Sequence, residues 1–137
     1  MAVMMTISYP GELHCELEHG PSRVRIETDA PVDNAGRGSS FSPTDLVGAA
    51  LISCAITTMA IRAPKEGIPF ETASGQVAKS MTTEGPRRIA QLAVTIEMPA
   101  GYDAAQRARL ETIARGCPVA LSLAEGVAVQ MLFRYPD

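Results

Sequence analysis

Three cysteines, Cys15, Cys54 and Cys117, are the residues of this sequence best suited to covalent chemistry. A thiolate is both a nucleophile and a metal ligand, and its reactivity depends on what surrounds it. An odd number of cysteines without dense, even spacing does not describe a secreted disulfide framework. In a reducing compartment such thiols are free, catalytic or metal-bound. No C-x-x-C occurs, and the only histidines are His14 and His19. The grouping His14, Cys15, His19 matches no metal-ligand spacing, so it is read as strand residues, and no metal or cofactor is expected.

The three thiols differ in their local setting. Cys15 lies between Leu13 and Leu17 on an alternating segment, where a cysteine acts as a small buried hydrophobe. Cys54 falls on a helical stripe with Val47, Ala50, Leu51, Thr58 and Ile61. On spacing alone it reads first as a packed core thiol, with a reactive thiol as the alternative, because residues 46–61 supply no cation. Cys117 precedes Pro118 at the opening of a short helix, where backbone N–H groups favour a thiolate, and Arg115 is close in sequence. For Cys117 the reactive and structural readings stand level.

Several elements must position these residues. Residues 12–18 alternate, with Leu13, Cys15 and Leu17 on one face and Glu12, His14, Glu16 and Glu18 on the other, the pattern of a half-buried strand. After Gly20, Pro21 and Ser22, residues 23–28 alternate again with Val24 and Ile26 inward, which predicts a hairpin. A less regular strand over 4–9 joins it. A turn-rich loop over 30–40 leads to Ser42 as N-cap, Pro43 at the first helical position and Asp45 in the first turn. That helix should run to about Arg62, before Pro64 and Gly67. It is apolar nearly all round, so it must be buried on most sides, in part by a second subunit.

Beyond it, 71–83 reads as a weak strand and 88–98 as a clear one, with Leu92, Val94, Ile96 and Met98 inward. Asp103 and Gln106 form a capping-box pattern opening a second helix, with Arg107 and Glu111 as an i,i+4 pair, ended by Gly116. A third helix follows from Pro118 through Leu123, then a strand over 127–135. The order β-β-β-α-β-β-α-α-β predicts one α+β domain over 1–137.

Composition narrows the function. The chain has 137 residues, 46% of them hydrophobic and 20% charged, with a net charge of −3. That charge, with scattered Lys and Arg, gives no footprint for nucleic acid or an anionic membrane. The N-terminal residues lack a basic region followed by a long apolar stretch, and the apolar run 46–61 is shorter than the roughly 20 residues a bilayer requires. A cytoplasmic protein that neither crosses nor binds a membrane is expected.

The segment from Ser42, Pro43 and Thr44 through Asp45, Leu46, Ala49 and Ala50 to Cys54, followed later by Cys117, Pro118 and Val119, resembles the OsmC/Ohr family. The stretch 27–34 and Arg87, Arg88 and Ile89 resemble its OsmC-like branch, so the resemblance covers nearly the whole chain. It implies an OsmC-like fold with antiparallel sheets wrapped around central helices, in an intertwined homodimer. It also implies a thiol peroxidase acting on organic hydroperoxides, with Cys54 attacking, Cys117 resolving and an external dithiol restoring the pair. In the family a Glu follows the helix-opening proline and holds an Arg that activates the attacking thiol. Here Thr44 takes that place, with the acidic Asp45 next. Arg37 is the foremost counterpart of the Arg, ahead of Arg23 and Arg25. Two other classes remain open: a non-catalytic dimer binding a small apolar or thiol ligand, and a redox-responsive partner protein.

Overall fold

Alternating apolar and polar residues, the period of an extended chain, build β1 (Met5–Gly11), β2 (His14–His19) and β3 (Arg25–Asp29). The three pair antiparallel in the order β1-β2-β3. Their register aligns Ile7, Leu17 and Ile26 across one face and Ser8, Glu16 and Glu27 across the other. The strand predicted over 12–18 starts two residues late. Glu12 and Leu13 form a tight turn, both with φ 59°, between Gly11 and His14, which pair. Both positive values mark a turn of the kind that matches strand twist and ordinarily uses Asn or Gly; with neither residue present, the turn is invisible to pattern reading. The expected inward residues Val24 and Ile26 do share the apolar face, yet both stay exposed, as does Ile7.

The computed structural model describes residues 1–137. Packing divides them into two units, Met1–Val47 and Gly48–Asp137. The boundary falls inside α1 (Pro43–Arg62), whose limits are those expected. Its start is a reciprocal cap: Asp45 N donates to Ser42 Oγ (3.1 Å), and Ser42 N donates to Asp45 Oδ2 (2.9 Å). Within the single chain α1 buries one stripe, Gly48, Leu51, Ala55 and Met59. With the 3-10 turn Pro64–Glu66, which Pro64 opens rather than prevents, the helical run Pro43–Glu66 reaches 24 residues. By length and composition alone that matches a membrane-crossing helix, as the core helix of a soluble protein also does. The uncharged run 46–61 within it stays as short as read from the sequence.

In the second unit β4 (Ser74–Met81), β5 (Ile89–Glu97) and β6 (Ala128–Arg134) form a sheet in that order. β4 and β5 are antiparallel, but β6 joins β5 in parallel. The expectation of wholly antiparallel sheets is corrected here. The crossover through α2 (Ala104–Arg115) and α3 (Pro118–Ser122) returns the chain in the direction of β5. Leu92, Val94, Ile96 and Met98 are buried as predicted. The α2 capping box is formed, with Asp103 accepting from Gln106 N and Gln106 accepting from Asp103 N. The Arg107–Glu111 pair is not. Arg107 instead binds Asp137 (3.0 Å) and lies 4.2 Å from the Tyr135 ring centre, while Glu111 accepts from Tyr135 Oη (2.8 Å). The end of the chain supplies partners that the helix pattern alone could not reveal.

Candidate active site

Gly48 of α1 faces Leu92 and Val77 of the β4–β5 sheet, and Gly75 of β4 faces Ile52 of α1. A Cβ on Gly48 would meet Leu92 Cδ2 at 3.4 Å. One on Gly75 would lie 2.9 Å from Ile52 Cδ1 and 2.4 Å from Thr95 O, closer than real contacts allow. This seating fixes Leu51 and Ala55 against the sheet and turns the neighbouring position, Cys54, toward a half-buried setting. The Cys54 Sγ lies 3.8 Å from Thr58 Oγ1, one turn further along the helix.

Cys117 reaches the same place from the other side of the unit. It is the N-cap of α3, in extended conformation, with Pro118 at the first helical position. Its N–H donates to Ala114 O (3.3 Å), and its carbonyl accepts from Leu121 N (3.0 Å). The side chain is wholly buried. Burial pushes its thiol above the ordinary range, the Cys54 thiol in hydrogen-bonding contact pushes the same way, and the N–H groups of Ala120 and Val119 oppose them. The thiolate-favouring helix start read from the sequence is therefore present but outweighed: desolvation of a fully buried sulfur exceeds the pull of a five-residue helix. Two free thiols, distant in sequence, lie near enough for Cys54 to raise the Cys117 thiol, one half-buried and one enclosed.

Of the other predicted residues, Arg37, Asp45 and Cys15 lie in the first unit and Arg115 in the second. Arg37 is exposed and pairs with Glu12 at 3.0 Å. Asp45 serves the α1 cap. Cys15 is half-buried and faces Thr28 across the β2–β3 ladder. Arg115, close to Cys117 in sequence, turns to Glu111 (3.5 Å) and lies 5.1 Å from the Phe133 ring centre. Thr58, placed on the Cys54 stripe by its i,i+4 spacing, is the side chain nearest to that thiol along the helix.

Residues 36–131 match the family model of the OsmC-like protein, a span that holds both cysteine segments. The chain belongs to the OsmC-like family. No curated protein matches it. Among solved structures, this OsmC-like chain is similar to one from Psychrobacter arcticus provisionally described as an osmotic stress induced and detoxification response protein. The two are 32% identical with TM-score 0.88, covering 95% of this chain and 94% of that one. An organic hydroperoxide resistance protein OsmC from Legionella pneumophila shares the fold at 18% identity and TM-score 0.79, over 97% and 96% of the two chains. So does a Vibrio cholerae protein provisionally named for organic hydroperoxide resistance, with captopril in one of its active sites, at 15% identity and TM-score 0.77, over 97% and 91%.

Proposed function

We propose that this OsmC-like protein reduces organic hydroperoxides through a Cys54–Cys117 dithiol/disulfide cycle. What supports the reading is the nearness of the two free thiols, by which Cys54 raises the buried Cys117. In the cycle the Cys54 thiolate attacks the terminal oxygen of ROOH, the O–O bond breaks, and alkoxide leaves to be protonated as ROH. Cys54 is then a sulfenic acid. The Cys117 sulfur displaces its hydroxyl, releasing water and forming the disulfide, and an external dithiol reduces that bond while becoming oxidised itself. The unequal settings suit the roles. The half-buried Cys54 meets substrate, and the enclosed Cys117 stays protonated until a sulfenic acid forms beside it.

In this reading Arg37 supplies the activating cation and Asp45 the acidic residue that the family places at the helix start. The Arg37–Glu12 pair is exposed, and such pairs contribute only about 0–1 kcal/mol, so Arg37 is cheaply released for other work. The 137 residues act as one OsmC-like domain in a cytoplasmic homodimer that does not cross a membrane. The exposed row of Ile7 and Ile26 and the narrow burial of α1 support self-association, because apolar surface left open in a chain is a binding surface. A second reading, a dimer that binds a small apolar or thiol ligand, draws support from the captopril held by the Vibrio cholerae relative.

Peptide mass mapping after one equivalent of cumene hydroperoxide tests the cycle. A Cys54–Cys117 bridge is expected in the native protein and none in Cys54→Ser. A bridge containing Cys15 would overturn the cycle, and thiols that survive excess peroxide while the protein binds ligand would favour the ligand-binding reading.

A further inference from the structure

On the polar face of the first sheet three side chains converge. His14, Glu16 and Glu27 each offer one donor atom, all within 4.8 Å of one another. The sheet dictates this: His14 and Glu16 are two apart on β2 and share a face, and the register sets Glu16 opposite Glu27 on β3. We propose that these residues form a site for a first-row divalent metal ion, with His14 Nε2 and the carboxylates of Glu16 and Glu27 as ligands. The proposal is independent of the cysteine pair.

His14 is held in the orientation a ligand requires. Its Nδ1 lies 2.6 Å from Asp29 Oδ1, and Asp29 is 1% exposed. The other Asp29 oxygen accepts from Ser39 N (3.0 Å) and from the Ser39 hydroxyl. A carboxylate accepts, so Nδ1 donates in this contact, and Nε2 is the ring nitrogen left to face a metal. A buried carboxylate gripping the far nitrogen is the support that metal-bound histidines ordinarily have. Nε2 lies 3.9 Å from Glu27 Oε1. That is too long for a hydrogen bond, and two ligands at about 2.0–2.2 Å from one ion stand about 3–3.5 Å apart, so an ion would draw the pair slightly together.

Charge balance on the sheet points the same way. Carboxylates directly opposite one another on paired strands repel. The arginines on hand are committed elsewhere: Arg23 and Arg25 both bind Glu18, each at 2.9 Å. The Glu16–Glu27 pair is left with His14 alone, and a divalent cation would neutralise it. One imidazole and two carboxylates suit zinc, manganese or ferrous iron. Both glutamates are exposed, so the remaining coordination positions would hold water.

The test uses the full chain and manganese, a probe that prefers oxygen and nitrogen donors to thiolates. Titration with MnCl2 is followed by paramagnetic broadening of the backbone amide NMR spectrum. Selective broadening around 14–16 and 27–29 is expected, with at least tenfold weaker binding in Glu16→Gln and in Glu27→Gln. These exposed substitutions leave the His14–Asp29 contact and the fold in place, which the unshifted remainder of the spectrum verifies. Broadening that is uniform, or centred elsewhere, or unchanged in both variants, overturns the proposal.

Discussion

In β5, Leu92, Val94 and Ile96 take alternate positions and are 0%, 2% and 0% exposed. In the first sheet, Ile7 and Ile26 belong to an equally regular apolar row and are 60% and 47% exposed. The sheets have the same number of strands and the same period. They differ in what lies over the apolar face, since β5 is covered within its own unit by α1, across Gly48 and Gly75. Alternation in a sequence reveals which face of a strand is apolar; whether this chain or another covers that face depends on tertiary and quaternary packing.

This contrast can be pressed from both sides. The largest effect belongs to the covered sheet: Leu92→Ala should cost about 2–5 kcal/mol, the loss typical of a large side chain removed from a close-packed core, read as a lower urea midpoint. A loss under about 1 kcal/mol would mean that the β5 face is looser than its burial implies. Next comes the α2 cap in the same unit. Asp103→Ala should cost about 1 kcal/mol, as removal of an N-cap carboxylate does, and an unchanged midpoint would remove the cap from the account. The smallest effect on the chain's own fold belongs to the open sheet, where Ile26→Ser should change stability by no more than about 0.5 kcal/mol. Its signature is a shift of the sedimentation coefficient toward the monomer, and unchanged association would separate this face from the proposed dimer.

Much of the fold was legible. Ser42, Pro43 and Asp45 carry the α1 start, Asp103 and Gln106 the α2 start, and the alternation in β5 its buried face. These signals are local, set by a few neighbouring side chains and the period of the backbone. What escaped reading was non-local or chemically unusual. The turn at Glu12 and Leu13 adopts positive φ without Asn or Gly. The parallel docking of β6 depends on where α2 and α3 lead the chain. The cysteine pair shows both limits. Resemblance nominated Cys54 and Cys117, but the helix-start argument for a lowered Cys117 failed, because burial is a property of the packed unit and not of the residues beside it.

Cys117→Ser, exposed to one equivalent of cumene hydroperoxide with dimedone present, isolates the first chemical step. The account predicts a dimedone adduct on Cys54 alone, the trace of a sulfenic acid left without its partner. An adduct on Cys15, or an unmodified Cys54, would contradict it.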